Sequence, residues 1–434
     1  MIRSFFKRLI SLKLHWQIFI ALALGVIAGV LTGEEKTFFN IVTFYSVFDF
    51  LGALFLRALK MIIVPLITSS IITGVSGVGS SGSLGKIGGK TFLYYVTTSM
   101  LAILVGLMLV NIITPGIEDG SPVRDKLGLT ADTGDFKEEV TEEGADALVN
   151  IFLRMIPTNP ISSAVEGDIL PIIFFCLLFG YFITKLPEKY NQTLNDFWQA
   201  VFEVMMQMTG FVMKFAPIGV FGLIARIVAS TGFEVFGPLA LYFTTVLSAL
   251  AIHFLVTLPL LLMIVAKVNP IRHYNAMAPA LLTAFSTSSS SATLPLTMEC
   301  VEKRAGVSNR VTSFVLPLGA TVNMDGTALY ECVAAMFIAQ AYGIGLTVGQ
   351  QFIVVITALL ASIGAAGIPS AGLVMITIIL KAIGLPLEGV GLILAVDRIL
   401  DMCRTTVNVF SDSCGTVIIA KTEGETNLLT EPIQ

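Results

Sequence analysis

The chain has 434 residues, of which 55% are hydrophobic and only 13% charged, with a mean hydropathy of +0.86 and a formal net charge of -4. Soluble domains carry about 25% charged residues. The composition therefore excludes an ordinary soluble fold and gives a polytopic protein of the lipid bilayer, with no basic excess to suggest a nucleic-acid partner.

Arg3, Lys7, Arg8 and Lys13 precede an apolar run from Trp16 to Leu31. A signal peptide has the same layout, but the run is nearly long enough to span and further spans follow, so an uncleaved first helix is expected. About 20 apolar residues are needed to cross a bilayer, which predicts spans at 16–33, 43–76, 91–114, 168–185, 195–226, 237–266, 311–342 and 388–420. Lys and Arg fall on alternate connections, at 3–13, 86–90, 185–189, 267–272, 303–310 and 421. By the positive-inside bias both termini are cytoplasmic. The connection at 115–150 then faces outward. It carries ten acids between Glu118 and Asp146 against Arg124, Lys126 and Lys137, and reads as a solvated, partly disordered loop.

Two apolar segments do not fit as ordinary spans. Segment 277–300 has a polar centre, Ser286 to Ser291, followed by Pro295; segment 351–380 is broken between Gly364 and Gly372. Glycine and proline at that density interrupt a helix, and two more crossings would upset the alternation of charge. Each is expected to be a re-entrant helical hairpin, which lipid tolerates only where the backbone is buried in protein or lines a cavity. Each is followed by a span with buried polar residues, Asn323 and Asp325 after the first, Asn408 and Asp412 after the second. This is the pattern of inverted repeats, whose binding sites lie near the midplane.

Cys176, Cys300, Cys332, Cys403 and Cys414 form no CxxC pair and sit mostly in apolar runs, so neither a disulfide framework nor a metal site is expected. His15, His253 and His273 are scattered without ligand spacing. No GxGD or GxSxG accompanies the buried Asp and Ser residues, which argues against an intramembrane protease, and no ring-forming filter suggests a channel.

Three polar constellations remain. In the stretch from Pro317 to Thr327, Asn323 and Asp325 are two residues apart and point about 200° from each other on an ideal helix. Pro317, Gly319 and Gly326 favour local unwinding, which would offer carbonyl, amide and carboxylate oxygens suited to Na+; the alternative is a polar kink that ties helices together. On the last span, Asp397, Asp401, Arg404, Asn408 and Asp412 fall within a sector of roughly 80°. Ionisable groups at bilayer depth cost roughly 2.5–3.5 kcal/mol each and mark function. Structural ion pairs alone would not need three Asp, two Arg and an Asn there. Arg404 suits a carboxylate, Asp401 an ammonium, and Asp412 with the Asn408 backbone a cation. A helix starting at Ser289 to Ser291 would present N–H groups to an anion; a flexible serine linker is disfavoured by its apolar flanks.

With these residues, the chain resembles the glutamate/aspartate transporter family, the dicarboxylate/amino acid:cation symporters that include the excitatory amino acid transporters. The likeness is densest in Ser286–Cys300, Leu316–Glu331, Ser362–Gly372 and Asp397–Asp412. It implies an all-α membrane protein of eight transmembrane helices and two re-entrant hairpins, a homotrimer in the cell membrane, working as an elevator and not as an enzyme. A scaffold (14–76 and 151–226) would carry a transport domain (88–114 and 237–420). The likeness gives Arg404 the substrate's side-chain carboxylate and Asp401 its amino group. Asn408, Thr405, Ser289 and Ser290 would hold the α-carboxylate, with Thr327 and the tip Ile368, Pro369 and Gly372 closing over it. One Na+ would use Gly319, Asn323, Asn408 and Asp412, and a second Thr321 with Ser362, Ile363 and Ala365. A third would use Tyr95, Thr98, Ser99, Asn323 and Asp325. Glu331 matches the proton-carrying glutamate of eukaryotic members, so H+ is a candidate further cargo. Neutral amino acid members lack an arginine at the position of Arg404, which implies uptake of L-aspartate or L-glutamate with Na+; the alternative is a C4-dicarboxylate. One departure stands out. The family's second arginine is replaced by Ser288 and Met402 at its two usual positions, and this chain has Arg398, either to neutralise the Asp pair or to face elsewhere.

Overall fold

The computed structural model describes residues 14–33, 37–38, 42–78, 85–127, 156–166, 169–232, 236–364, 371–386 and 389–429. Fifteen α-helices run through them: α1 (Leu14–Thr32), α2 (Phe44–Val78), α3 (Gly85–Ile113), α4 (Pro160–Glu166), α5 (Ile169–Ile183), α6 (Glu188–Met213), α7 (Ala216–Thr231), α8 (Phe236–Ala266), α9 (Pro270–Thr287), α10 (Ser290–Lys303), α11 (Asn309–Val322), α12 (Asp325–Ala341), α13 (Val348–Gly364), α14 (Ala371–Ala382) and α15 (Val390–Thr422). The expected helical, membrane-type protein is what these residues form. Among them Ile87–Ile113 and Phe236–Ala266 are long and apolar enough, each as a single helix, to cross a membrane. Bulky apolar side chains such as Leu24, Ile27 and Leu31 of α1 and Leu255 and Ile264 of α8 point outward, as lipid-facing surface does.

Several sequence expectations are refined. The span expected at 195–226 is two helices, α6 and α7, bent by 52°. Pro217 lies in the first turn of α7, where its missing N–H costs nothing, whereas inside one continuous helix it would break the ladder. The span at 311–342 is likewise divided, as Pro317, Gly319 and Gly326 suggested: α11 ends at Val322, Asn323 is extended, and α12 begins at Asp325. Segment 277–300 is a helical hairpin, with α9 packed beside α10 and reversed at Ser288 in a left-handed conformation (φ 53°). Residues 351–380 give α13 and α14, which also pack together, around a tip at 365–370 that lies outside the described residues.

Two minimal antiparallel ladders were not expected: β1 (Thr37–Phe38) with β2 (Val42–Thr43), and β3 (Ile117–Glu118) with β4 (Ser121–Pro122). The start of the acidic connection is therefore turned back on itself, with residues 117–122 exposed as expected of a solvated loop. Val123 and Leu127 are buried in it, and Lys126 pairs with Glu118 at 3.0 Å. Residues 128–150 lie outside the described set.

Two neighbourhoods divide the helices. In one, α7 packs on α1 and α2, and α2 packs on α5 and α6; in the other, α12 packs on α3, α8, α13, α14 and α15, while α15 takes α9, α10 and α11. Every residue of α12 except Gln340 is buried. A helix enclosed on all sides has no solvent face for its polar residues, so Asp325, Thr327, Tyr330 and Glu331 are interior groups.

The chain after α15 folds back under the first hairpin. Glu425 accepts hydrogen bonds from the Ser308 N–H (3.0 Å) and hydroxyl (2.5 Å) at the start of α11. The Leu429 N–H donates to the Ala305 carbonyl, Arg272 donates to that of Leu429, and Lys90 pairs with Glu423 at 2.6 Å. Glu425→Ala is expected to cost about 1 kcal/mol and to lower the melting temperature of the detergent-solubilised protein. Glu299→Ala, which removes an exposed pair with Lys303, is expected to leave melting unchanged, because such pairs contribute little.

Candidate functional site

The face read from the sequence is present on α15, and its groups converge on the broken segment between α11 and α12. Arg404, fully buried, donates through Nη2 to Asp397 Oδ1 (3.0 Å) and Asp401 Oδ1 (2.8 Å). The Tyr330 hydroxyl donates to Asp397 at 2.8 Å, and the guanidinium lies 3.8 Å from the Tyr330 ring centroid. Arg404 Nε and Nη1 have no protein partner. Arg398, largely buried, reaches Asp401 Oδ2 at 3.3 Å, so of the two expectations it faces the acidic side of α15, through Asp401.

One turn further along α15, Asn408 faces the start of α12. Its Oδ1 accepts from the Gly326 N–H (2.8 Å), one of the donors that a helix N-terminus leaves unpaired, and its amide donates to the Thr327 hydroxyl (3.2 Å). Thr327 and Thr405 are buried beside it. The two helices touch through main chain: a Cβ on Gly326 would lie 2.6 Å from the Arg404 carbonyl oxygen. A Cβ on Gly372 would strike Arg404 Nη1, which brings the start of α14 to the arginine.

Beyond Asn408 lies a second polar layer. The Asn323 amide donates to Asp412 Oδ1 (2.9 Å) and to the Ser411 hydroxyl (3.1 Å), and Thr98 reaches Asn323 Oδ1 at 3.4 Å. Asp325 accepts from Ser99 (2.7 Å) and Ser411 (2.6 Å) and sits 3.0 Å from His253 Nε2. A Cβ on Gly319 would lie 2.5 Å from Asp412 Oδ1 and 2.7 Å from the Tyr95 hydroxyl; that hydroxyl donates to the Val315 carbonyl. Gly319, Asn323 and Asp412 are thus together, as are Thr98, Ser99, Asn323 and Asp325, with Tyr95 against the first group. His253 apart, the groups that could ligate here offer oxygens, carboxylate, amide, hydroxyl and carbonyl, which suits a hard cation.

The remaining expected residues stand as follows. Ser289 caps α10, accepting from the Ala292 N–H, and Ser290 is buried in the first turn; α10 packs on α15. Thr321 and Ser362 spend their hydroxyls on the Leu318 and Leu359 carbonyls of their own helices, and Ile363 lies in the last turn of α13, which packs on α11. Ala365, Ile368 and Pro369 lie outside the described residues. Glu331 is fully buried, with no partner for either carboxyl oxygen.

Sequence reasoning passed over His253, Ser411 and Tyr330. A signal for His253 existed: an ionisable residue within an apolar span is a functional candidate, and the helix changes to π-type winding from His253 to Thr257, a deviation frequent at functional sites. Ser411 and Tyr330 carry no such mark.

A family model described as the sodium:dicarboxylate symporter family matches residues 14–422. Excitatory amino acid transporter 3 of Mus musculus is 41% identical over 462 residues, covering 94% of this chain and 86% of the relative. The proton/sodium-glutamate symport protein of Geobacillus stearothermophilus is 37% identical over 421 residues, covering 96% of each. The proton/glutamate-aspartate symporter of Escherichia coli (strain K12) is 36% identical, covering 95% and 94%.

The glycine contact between α12 and α15 gives a direct check. Gly326→Ala forces main chain from main chain and is expected to destabilise by about 1–3 kcal/mol. Gly74→Ala, whose Cβ would meet Val322 at an ordinary 3.7 Å, is expected to show no loss in the same thermal melt.

Proposed function

The chain belongs to the sodium:dicarboxylate symporter family, and on that premise we propose that its buried polar layers carry L-aspartate or L-glutamate inward together with Na+. Relatives named as glutamate and glutamate-aspartate symporters support the substrate class, and one named for proton and sodium supports both ions. The observation that carries the reading is Arg404: a fully buried guanidinium with Nε and Nη1 unpartnered, beside Gly372 and one turn from Asn408. A charged group left incompletely bonded in such a place is costly, and a diacid's carboxylate completes it.

The roles then follow. The substrate's side-chain carboxylate binds Arg404 and its ammonium binds Asp401. The α-carboxylate takes Asn408, Thr405 and the N-terminus of α10 at Ser289 and Ser290. Na+ is held by Gly319, Asn323, Asn408 and Asp412 in one place and by Tyr95, Thr98, Ser99, Asn323 and Asp325 in another, with a third position between Thr321 and the end of α13. An amine-free C4-dicarboxylate is disfavoured, since it brings no ammonium to replace the Arg404 contact that Asp401 gives up when a carboxylate takes the arginine.

Larger-scale features belong to the same proposal. At 1.5 Å per residue, the 18 residues of α9 and 14 of α10 reach about 27 Å and 21 Å, short of a core of about 30 Å. That supports re-entrant hairpins among eight spans, and the alternation of Lys and Arg supports cytoplasmic termini in the cell membrane. The two helix neighbourhoods support a scaffold (14–76, 151–226) and a moving transport domain (88–114, 237–420) in a homotrimeric elevator. Glu331, buried with neither carboxyl oxygen hydrogen-bonded, supports a proton as further cargo, because a buried carboxylate without hydrogen bonds is costly and a proton removes its charge.

Purified protein in liposomes with an inward Na+ gradient is expected to accumulate labelled aspartate. Arg404→Thr is expected to reduce that uptake at least about 100-fold, with melting in detergent confirming that the variant folds; undiminished uptake would overturn the assignment. Glu331→Gln is expected to leave uptake without its dependence on pH. An unchanged pH profile removes the proton from the scheme.

A further inference from the structure

Asp401 is held from both sides. Its Oδ1 takes Arg404 Nη2 at 2.8 Å and its Oδ2 takes Arg398 Nη1 at 3.3 Å, with the three side chains 1–10% exposed. Arg404 also serves Asp397, so two guanidinium groups balance two carboxylates. The arginines are not equivalent. Arg404 lies inside the site, against Gly372 and Tyr330, whereas Arg398 is six residues earlier on α15, one turn before Asp401, and its ion pair is with Asp401.

We propose, resting on the functional reading above, that Arg398 is a positioning residue for the substrate: it anchors Asp401 by Oδ2 while Oδ1 exchanges Arg404 for the substrate's ammonium. A carboxylate arriving end-on at Arg404 needs Nη2 as well as the free Nη1, and Nη2 is engaged by Asp397 and Asp401. Binding therefore loosens Asp401 from Arg404 at the moment when Asp401 must stand still to receive the ammonium. A second cation on the other oxygen supplies that fixity, and charge-assisted bonds are strong enough to do so. It also keeps the empty cluster neutral. Without Arg398, one buried guanidinium would face two aspartates, and both would compete with the incoming carboxylate for it.

The test compares Arg398→Ala, Arg398→Met and Arg398→Lys with the wild type in sodium-driven aspartate uptake, with succinate as competitor. Arg398→Ala and Arg398→Met are expected to raise the aspartate KM about tenfold or more, with the maximal rate at saturating substrate within about twofold of the wild type. The preference for aspartate over succinate should shrink by a similar factor, since the ammonium contact is what is lost. Arg398→Lys restores a cation and is expected to recover most of the affinity. An unchanged KM in both neutral variants, a Lys variant no better than Ala, or an unchanged succinate ratio overturns the proposal. A loss confined to the maximal rate does the same, since it assigns Arg398 to folding alone. Failure of the wild type to take up acidic amino acids overturns the functional reading, a result distinct from these.

Discussion

The whole interior is arranged around a charge that water does not reach. Removing an ion from water costs several kcal/mol even after relaxation, and a buried pair recovers this only with good geometry and further hydrogen bonds. Arg404 has two aspartates, an aromatic face and a neighbouring glycine helix start, yet keeps two of its nitrogens unbonded. An apolar cluster of the same volume would hold α12 and α15 together at least as well. The ionic arrangement therefore does not exist for stability, and its incompleteness points to a guest.

The same constraint explains the break between α11 and α12. Interrupting a helix inside a packed core exposes N–H and C=O groups that must find partners. Here side chains from α15 supply them: Asn408 takes the Gly326 N–H, while Asn323, freed from helical geometry, turns its amide to Asp412 and Ser411. Asp325 stands in the first turn of α12, where the helix dipole favours an anion. Three neighbours from three other helices, Ser99, His253 and Ser411, then converge on that carboxylate.

Much of this was legible because helix geometry carries it. The 80° sector of Asp397 to Asp412 follows from spacing alone, and those residues do gather on one face of α15. Proline and glycine marked the division at Asn323, and the serine run marked the start of α10 at Ser290. Contacts between distant segments left no trace. His253 meets Asp325 across 72 residues and Glu425 meets Ser308 across 117, and neither pair has a spacing to read. The Thr98 and Ser99 contribution came through family resemblance only, since hydroxyls in an apolar span usually bond their own helix. The bend at Pro217 had a local signal, but the hydrophobic run on either side of it is continuous and overrides it by eye.

The two polar layers are not independent, and the reason is their short shared backbone. Residues 323 to 327 contribute Asn323 and Asp325 to one layer and Gly326 and Thr327 to the other, while α15 contributes Ser411 and Asp412 to the first and Arg404 and Asn408 to the second. On the proposed reading, a cation drawing on Asn323 or Asp412 would fix the register between the broken segment and α15. That register is what places Gly326 and Thr327 against Asn408, and the Gly326 α-carbon against the Arg404 carbonyl. On the proposed reading, coupling between ion and substrate requires no long pathway. It is a coupling free energy carried by five residues packed against one helix, in direct main-chain contact with it at Gly326 and bonded to it by the Asn323, Thr327, Asn408, Ser411 and Asp412 side chains.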